Sequence, residues 1–556
     1  MSQKVYVFSV IMLFALSSFC FALDYSQLDP KPYDPETEPD IDMFIGHWKD
    51  SMPRHIHGSL VVRDILTSCE GDPMKPSRKG AVLTELKSVS YAVLDVNAST
   101  TPSKPEGEQE LYYIMSGKGV ITSGKKTAEL REGIGVVAAP GVEFTMTNTG
   151  NEPLIMYLIV EPIPEDFKPN SELVVKNEYD NSQAITVHWA HIDRGIIGRG
   201  DGTAVVGGLT AVKIDPMTTP QPHSHGKGVE EIWIALKGDI NLLLGKQLRK
   251  LPVGSAYRIP SDGRTPHANI NVTDKQIKLM HMMKSVRSET YDYSFLDPKQ
   301  FDPEIDPNID MFISSWKESM PVQTFGSLIE RAIFTELEGD PMRPTTKGAV
   351  LTNFKGFSHA SLEAKASTKP ATLQDEQIIL YIDGGKGIIN AGGKTAGLYE
   401  GVGVLMPPGI EFTMTSTGDE CLTMYVIREP IPDGFTPNKE MLVRDTNVEP
   451  ISSANGHWCH IFTWLFSKED GLATAVGMGP VLYDPMTMGQ PHSHGEGIEE
   501  IWFALKGDIT ILLGKQLRKL PVGSTYKIPP NGLTPHSNIN TTGEPIKLFW
   551  FMRIPD

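Results

Sequence analysis

The sequence is poor in cysteine and has no excess of positive charge. Only four of its 556 residues are cysteine, and Cys20 lies in the N-terminal segment predicted below to be removed, which leaves Cys69, Cys421 and Cys459. An odd number of thiols does not make a disulfide framework, so buried or incidental thiols are expected. Lys and Arg total 51 against 68 Asp and Glu, for a formal net charge of -17. Because phosphate binding needs clustered positive charge, this balance argues against a nucleic-acid partner.

Long apolar runs are also scarce, and the one that stands out is at the N-terminus. Lys4 precedes an apolar stretch over residues 5–19, and Cys20 and Ala22 place small residues at a plausible cleavage site. This pattern predicts a secretory signal peptide over residues 1–22, and therefore a secreted or secretory-pathway protein. The run is shorter than the about 20 residues that span a bilayer, so we expect no membrane association after its removal.

An internal duplication organises the rest of the chain. The segment from Leu23, LDYSQLDPKPYDPETEPDIDMF, returns from Tyr291 as YDYSFLDPKQFDPEIDPNIDMF. Each copy is divided by a Pro-rich connector, at Glu161 and at Glu429, and proline interrupts central strands. Short apolar runs bounded by turn residues predict an all-β fold on both sides of each connector, with a helical rhythm only near 43–52 and 311–320. We expect four barrels: barrel 1 at 23–165, barrel 2 at 166–288, barrel 3 at 289–433 and barrel 4 at 434–556.

A group of histidines and acids in barrel 2 carries metal-binding chemistry. His223 and His225 are followed by Glu230 and Glu231, and later by His267. Side chains two residues apart on a strand share a face, so a His-x-His pair delivers two imidazoles to one point. A carboxylate and a third imidazole can complete a site for a divalent metal. The pattern recurs in barrel 4 with these residues: His492, His494, Glu499, Glu500 and His536.

This order of residues resembles the two sequence motifs of the cupin superfamily. The resemblance implies jelly-roll barrels in two tandem two-barrel units and two divalent metal ions per chain. The ligand sets that it implies are His223, His225, Glu231 and His267 in barrel 2, and His492, His494, Glu500 and His536 in barrel 4. Six residues separate Glu231 from Gly238, as the family motif asks. Counting forward from His225 instead favours Glu230, so Glu230 and Glu499 stay alternatives.

Barrels 1 and 3 have the barrel-like pattern without these ligands. Phe144 and Phe412 stand where the third histidine would be. Ile378 of barrel 3 occupies the place of Glu110 in barrel 1. These two barrels therefore resemble cupin barrels that have lost their metal and serve packing.

Several residues near the predicted ligands have two readings. Gln221 and Gln490 lie two residues before the first ligand histidine, where an amide could orient a substrate or a metal-bound water, or could simply belong to a loop. Trp233 and Trp502 could line the pocket, but a packed core role is favoured. A general base is imaginable among four upstream histidines, and a structural role is again favoured: His188, His191, His457 and His460. His55 and His57 could be a ligand pair, but a local structural role is favoured.

Three glycosylation triplets begin at Asn97, Asn271 and Asn540. The last two asparagines belong to the cupin-like motif and would sit within a barrel. Asn97 is therefore the one acceptor we expect, on a eukaryotic secretory route.

The resemblance reaches, at a distance, germin-like oxidases, oxalate decarboxylases and cupin dioxygenases. It implies a metal-dependent oxidoreductase that acts on a small organic substrate, with Mn or Fe favoured and Cu, Ni and Zn compatible with the ligand types. A non-redox lyase, isomerase or hydrolase is an alternative, because an open Lewis-acid site can also polarise a carbonyl. Non-catalytic binding or storage is another alternative, since two-barrel cupins include seed globulins. Oligomerisation is left open.

Overall fold

The computed structural model describes residues 28–185, 188–284, 296–297, 299–452 and 457–555. It divides the chain into a first unit, Tyr33–Gln300, and a second unit that joins Phe301–Asp556 to the N-terminal segment ending at Pro32. The predicted signal peptide, residues 1–22, lies outside the described residues. No helix in the described part of the chain is long and apolar enough to cross a membrane.

The first unit is built from short strands with four single-turn 3-10 helices, Ile41–Phe44, Trp48–Asp50, Glu178–Asp180 and Arg199–Asp201. Its strands are β1 (Ile45–His47), β2 (Arg54–Ile56), β3 (Leu60–Ser68), β4 (Ala81–Leu83), β5 (Ser88–Leu94), β6 (Glu108–Ser116), β7 (Gly119–Ser123), β8 (Lys126–Leu130), β9 (Ile134–Ala138), β10 (Thr145–Asn148), β11 (Leu154–Pro162), β12 (Val174–Asn177), β13 (Ala184–Ile185), β14 (Ile192–Gly198), β15 (Gly208–Ile214), β16 (Glu230–Lys237), β17 (Ile240–Leu244), β18 (Gln247–Leu251), β19 (Ser255–Arg258), β20 (His267–Ile270) and β21 (Ile277–Lys284).

These strands form two barrels, each made of a large and a small sheet. In barrel 1 the large sheet has the order β12-β9-β6-β11-β5-β3-β2, with β4 beside β3, and the small sheet has the order β10-β7-β8. In barrel 2 the orders are β1-β19-β16-β21-β15-β14-β13 and β18-β17-β20. The all-β prediction is therefore confirmed.

The second unit repeats this plan with the 3-10 helices Ile309–Phe312, Trp316–Glu318 and Lys468–Asp470. Its strands are β22 (Ile313–Ser315), β23 (Pro321–Thr324), β24 (Leu328–Glu336), β25 (Gly339–Asp340), β26 (Arg343–Pro344), β27 (Ala349–Leu351), β28 (Gly356–Leu362), β29 (Ala371–Thr372), β30 (Glu376–Gly384), β31 (Lys386–Ala391), β32 (Lys394–Tyr399), β33 (Val402–Met406), β34 (Glu411–Ser416), β35 (Leu422–Pro430), β36 (Leu442–Asp445), β37 (Ile451–Ser452), β38 (Ile461–Thr463), β39 (Phe466–Ser467), β40 (Gly477–Tyr483), β41 (Thr487–Met488), β42 (Glu499–Lys506), β43 (Ile509–Leu513), β44 (Gln516–Leu520), β45 (Ser524–Lys527), β46 (His536–Asn540) and β47 (Ile546–Arg553).

The sheets of the second unit follow the same two-barrel plan. Barrel 3 has a large sheet β23-β24-β28-β35-β30-β33-β36 and a small sheet β29-β34-β31-β32, with the hairpin β25-β26 outside both. Barrel 4 has β22-β45-β42-β47-β40-β38-β37 and β41-β46-β43-β44. In barrel 3, β27 pairs with β24, and in barrel 4, β39 pairs with β40.

Each barrel of the first unit takes a strand from the other half of the unit. Strand β1 pairs with β19 of barrel 2, where Ile45 lies opposite Tyr257. Strand β12, which follows the connector, pairs with β9 of barrel 1, where Val174 lies opposite Val137. Sheet membership therefore crosses the boundary that we placed after residue 165, and the boundary itself stays a prediction.

The core explains why β16 reads as an almost unbroken apolar run. One face of the strand lies inside barrel 2, and the other packs on barrel 1, where Ile232 and Ile234 share a cluster with Leu66, Val89 and Tyr157. A strand covered on both faces needs apolar residues at consecutive positions. Burying each isoleucine contributes about 1.5–3 kcal/mol to the stability of the unit.

Candidate metal centre

Three histidines of barrel 2 meet at one point, which we call the first centre. His223 lies before β16, and His267 opens β20. The two are joined by a β-bridge in which the His267 N–H donates to the His223 carbonyl at 2.9 Å. One ligand atom of His223, of His225 and of His267 lies within 4.8 Å of the others, and all three side chains are buried. In barrel 4, His492, His494 and His536 make the equivalent second centre.

A glutamate carboxylate faces each histidine group. Glu231 Oε2 contacts His225 Nε2, and Glu231 Oε1 lies 3.7 Å from His267 Nε2. In the second centre Glu500 Oε2 lies 2.5 Å from His494 Nε2 and 3.2 Å from His536 Nε2. The carboxylates predicted from the distance to the motif glycine thus stand beside the imidazoles.

The alternative acid, Glu230, points to the opposite side of its strand. It accepts hydrogen bonds from the N–H groups of Thr84 at 2.6 Å and Leu86 at 3.0 Å, and Arg258 Nε lies 3.3 Å away. Neighbouring residues of a strand face opposite ways, so Glu230 and Glu231 cannot share one site. Glu230 instead holds a loop of barrel 1 against barrel 2.

Glu499 repeats this arrangement in the second unit. It accepts from the N–H groups of Thr352 at 2.9 Å and Asn353 at 2.8 Å, and Lys527 Nζ lies 3.1 Å away. The geometry therefore favours Glu231 and Glu500 over Glu230 and Glu499, and the ligand role of the favoured pair stays a prediction.

The first histidine of each centre is held by a backbone carbonyl. His223 Nδ1 lies 2.8 Å from the Gln221 carbonyl, and His492 Nδ1 lies 2.8 Å from the Gln490 carbonyl. A ring nitrogen that faces a carbonyl must carry its proton, which leaves the Nε2 lone pair for the centre. Second-shell hydrogen bonds of this kind orient histidine ligands in metal sites.

Burial sets the charge of the first centre. It lowers the pKa of His223 well below its usual value, helped by the neighbouring histidines, and it lowers the pKa of His267 to about 3. Burial opposes charge on His225 as well, but the Glu231 carboxylate outweighs it and raises that pKa. Burial would raise the pKa of Glu231, yet its electrostatic contacts with His225 and His267 hold it well below its usual range. The neutral imidazoles of His223 and His267 beside an ionised carboxylate suit a cation.

The carboxylates are fixed by N–H donors, and one of these donors, His281, was not predicted from the sequence. Trp233 Nε1 donates to Glu231 Oε1 at 2.8 Å, and Trp502 Nε1 donates to Glu500 Oε1 at 3.0 Å. His281 Nε2 also lies 3.1 Å from Glu231 Oε1. In the second centre Trp550 stands at the position of His281. Because His281 belongs to no His-x-His pair and does not recur in the second repeat, nothing in the sequence pointed to it.

The histidines upstream of each centre lie behind the first ligand. The His188 ring stacks on His223 with centroids 4.4 Å apart, and the His457 ring stacks on His492 at 4.3 Å. His191 lies deeper, with its ring 5.5 Å from Trp233. These contacts support the packing role that the sequence favoured.

Gln221 and Gln490 each donate a side-chain hydrogen bond to a backbone carbonyl. Gln221 Nε2 donates to Leu296, and Gln490 Nε2 donates to Leu28. Gln490 Oε1 also lies 3.1 Å from His457 Nδ1. Both amides therefore join a ligand-bearing segment to a distant part of the sequence.

Barrel 1 has a different interior at the corresponding place. His57 Nε2 lies 3.0 Å from Glu110 Oε1, and Tyr112 donates to Glu110 Oε2 at 2.6 Å. Phe144 is buried against His57, with ring centroids 5.5 Å apart, whereas His55 is exposed. In barrel 3 two phenylalanine rings, Phe325 and Phe412, pack at 5.4 Å. Among the residues that the structure describes, candidate metal groups of three or more His, Cys, Asp or Glu occur in barrels 2 and 4 alone.

Comparisons with known proteins agree with this architecture. The cupin domain family matches residues 90–160 and 481–552, which lie in barrels 1 and 4. An uncharacterised protein of Methanocaldococcus jannaschii is 28% identical over an alignment of 97 residues, and the match covers 15% of this chain and 78% of that protein.

Solved structures similar to this chain include three that each cover less than half of it. The protein Ylba from E. coli is 14% identical, with 44% of this chain and 91% of that chain covered and a TM-score of 0.34. A putative glyoxylate induced protein from Pseudomonas aeruginosa is 13% identical, with 42% and 84% covered and a TM-score of 0.35. A Lactobacillus farciminis oxalate decarboxylase is 11% identical, with 45% and 87% covered and a TM-score of 0.35. Two stretches of the chain thus match the cupin domain family, and the four barrels form a tandem of two-barrel units.

Proposed function

We propose that this protein is a secreted, metal-dependent cupin enzyme, an oxidoreductase that acts on a small organic substrate at two metal centres. The observation that carries the proposal is the buried set of three imidazoles beside one carboxylate, built twice from matching positions. Nitrogen and oxygen donors of this kind fit a divalent first-row transition metal. A bound ion would supply Lewis acidity and, as Mn or Fe, one-electron redox chemistry.

The residues of the first centre have separable roles in this proposal. His223, His225, His267 and Glu231 hold the ion. The Gln221 carbonyl fixes the ring of His223, and N–H groups of Trp233 and His281 fix the carboxylate of Glu231. Because these groups are buried or nearly so, little reorganisation is needed when an ion or substrate binds.

Secretion is the second part of the proposal, and the N-terminal pattern of residues 1–22 supports it. The expected mature chain begins at Leu23. Mass spectrometry of protein recovered from the culture medium of the native host tests this expectation. A chain that keeps residues 1–22 inside the cell would contradict it.

The function is tested by elemental analysis followed by oxygen-uptake measurements. The purified mature protein is expected to hold two Mn or Fe ions and to consume oxygen with one of a panel of small carboxylates and phenolics. A His223→Ala plus His492→Ala variant should lose both the metal and the uptake, whereas a variant of the exposed His55, His55→Ala, should keep them.

Two outcomes would redirect the proposal. Bound Zn without oxygen consumption would favour a non-redox lyase, isomerase or hydrolase. Metal that is lost in the double variant without a change in any turnover assay would favour non-catalytic binding.

A further inference from the structure

A short segment packs onto each metal-bearing barrel, and its sequence begins the opposite repeat. We call residues 28–32, LDPKP, the first strap, and the described residues 296, 297, 299 and 300 of the matching sequence LDPKQ the second strap. The first strap opens the first repeat but belongs to the second unit, and the second strap opens the second repeat but belongs to the first unit. Leu28 and Leu296 are only 5% and 2% exposed, so each strap is seated by a buried leucine.

The first strap is bound through its backbone. Gln490 Nε2 donates to the Leu28 carbonyl. The Trp458 indole N–H donates to the Asp29 carbonyl at 2.7 Å, and the Trp458 backbone N–H donates to the Pro30 carbonyl at 3.3 Å. Three consecutive carbonyls are thus used by two residues of barrel 4.

The second strap makes the matching contacts in the first unit. Gln221 Nε2 donates to the Leu296 carbonyl, and the Trp189 indole N–H donates to the Asp297 carbonyl at 2.6 Å. The same glutamine and tryptophan are therefore used in both units, at positions that match in the repeat.

The residues that bind the first strap also hold the first ligand of the second centre. Gln490 accepts from His492 Nδ1 through its carbonyl, and its side-chain oxygen lies 3.1 Å from His457 Nδ1. The His457 ring in turn stacks on His492. The first strap is therefore connected to His492 in two ways. One connection passes through Gln490, and the other passes through the adjacent residues His457 and Trp458.

The backbone at this point is strained and depends on its surroundings. Trp189 has φ 57°, Trp458 has φ 66° and His457 has φ 53°, all in the left-handed region. Residues with side chains occupy that region at an energetic cost and keep it only where neighbouring contacts impose it. The indole hydrogen bond to a strap is one such contact in each unit.

We propose that each strap is a positioning element of the metal centre in the unit that it joins. Docking of the first strap fixes Gln490 and the turn at His457 and Trp458, and these residues fix His492. The second strap does the same for His223 through Gln221 and Trp189. Each centre is thus completed by the segment that begins the opposite repeat. This inference rests on the proposed metal function.

The test uses the full chain with one centre at a time and Co²⁺ as the probe. In a His223→Ala plus His225→Ala background only the second centre can bind. Leu28→Asp should release the first strap there, because a charge cannot occupy the buried leucine site. We expect the Co²⁺ Kd to rise about 10–100-fold, as for the loss of an outer-shell partner, and the visible Co²⁺ bands to change.

The opposite strap supplies the matched control. Leu296→Asp in the same background should leave the Co²⁺ Kd and the bands unchanged. In a His492→Ala plus His494→Ala background the two effects should be reversed. An effect of Leu28→Asp on the first centre instead of the second, and of Leu296→Asp on the second centre instead of the first, would overturn the proposal.

A milder variant guards against misfolding. Trp458→Phe keeps the ring and removes the indole N–H that Asp29 accepts, so it should speed amide hydrogen exchange in residues 28–32 and weaken Co²⁺ binding several-fold. Trp189→Phe is its control in the same background. Faster exchange with an unchanged Co²⁺ Kd and spectrum would disprove the positioning role. If the unmodified chain binds no Co²⁺, Mn or Fe, the proposed function fails, and this inference fails with it.

Discussion

The two candidate metal centres share their ligand set but differ in the groups that hold it. At one position of the strand beside the carboxylate, the first centre has His281 and the second has Trp550, whose indole donates to Glu500 Oε1 at 2.6 Å. Both groups offer an N–H to the same carboxylate oxygen, yet one is an imidazole and the other a large indole. The predicted ligands of the two centres therefore match in the repeat, whereas the groups that support them differ.

A second difference lies behind the histidines. In the second centre Tyr483 lies with its hydroxyl 2.5 Å from His460 Nε2 and accepts from Asn538 Nδ2 at 3.2 Å. In the first centre Ile214 occupies the matching position, and its side chain cannot hydrogen-bond. The second centre is thus supported by a polar network where the first relies on apolar packing, so the two centres need not have equal affinities.

The largest expected effect comes from removing one ligand at a time. His223→Ala should leave one metal ion per chain, and so should His492→Ala. Loss of a hydrogen-bond partner of a ligand weakens metal binding by up to about 100-fold, and loss of the ligand itself should weaken it more. Elemental analysis after exhaustive dialysis measures the loss. A single variant that loses both ions would show that the centres are not independent.

The paired acids should separate stability from metal binding. Glu230→Gln and Glu499→Gln each leave a buried cation, Arg258 or Lys527, without its charged partner. Breaking a buried pair costs about 3–5 kcal/mol, so urea unfolding should show that loss in each variant. Metal content should stay at two ions per chain. Loss of metal from the Glu230→Gln protein would restore Glu230 as a candidate ligand.

The residues that differ between the centres should have a smaller effect. His281→Phe and Trp550→Phe each remove one N–H donor from the ligand carboxylate, and about tenfold weaker metal binding is expected at the affected centre. His281→Trp copies the second centre and should recover much of the affinity. A chelator competition series with one centre present at a time gives these constants. If the parent, His281→Phe and His281→Trp proteins bind the metal with equal affinity, the contact from His281 does not support Glu231.

The smallest effects are expected at two exposed ion pairs, one within each unit at matching positions of the repeat. Arg249 binds Asp42 at 2.7 and 2.9 Å, and Arg518 binds Asp310 at 2.8 and 3.1 Å. The hydrogen bond from each arginine lowers the pKa of its aspartate. Exposed pairs contribute about 0.2–1 kcal/mol, so Arg249→Ala and Arg518→Ala should each cost that much at pH 7.

The pH dependence of these variants has a defined sign. An aspartate with a lowered folded pKa adds stability above its unfolded pKa of about 3.9, and this stability is lost as the pH falls through the lower folded value. Unfolding at pH 7 and at pH 3 should therefore show a smaller difference between each variant and the parent at the lower pH. A difference that grows in acid would contradict the ion-pair explanation.

Much of the site could be predicted because strand alternation acts on neighbouring residues. It predicted that His223 and His225 meet, and they do, although only His223 makes a β-bridge in that segment, and the same alternation separates Glu230 from Glu231 on β16. The choice between the acids needed the pairing of β16 with its neighbours, which shows what lies on each side. In the sequence motif alone, counting back from Gly238 favours Glu231, whereas counting forward from His225 favours Glu230.

Other features depended on pairing between distant segments. His281 faces the first centre because β21 pairs with β16 and brings it opposite Trp233. The boundaries predicted from the repeat place the straps in barrels 1 and 3, since both straps begin LDPK and their sequences do not say which barrel they contact. The suspected helical rhythm near 43–52 proved to be two single-turn helices around β1, because pairing with β19 imposes an extended backbone there.

The amide of Asn271 makes an enzymatic modification a hazard for folding. Its Nδ2 donates to the carbonyls of Ile214, Asp215 and Lys275, and the residue is fully buried. Asn540 is buried in the same way. Each begins a triplet that an oligosaccharyltransferase reads in an unfolded chain. A sugar attached there during synthesis would occupy the nitrogen that donates to these carbonyls, so a host without N-glycosylation is the safer source of correctly folded protein.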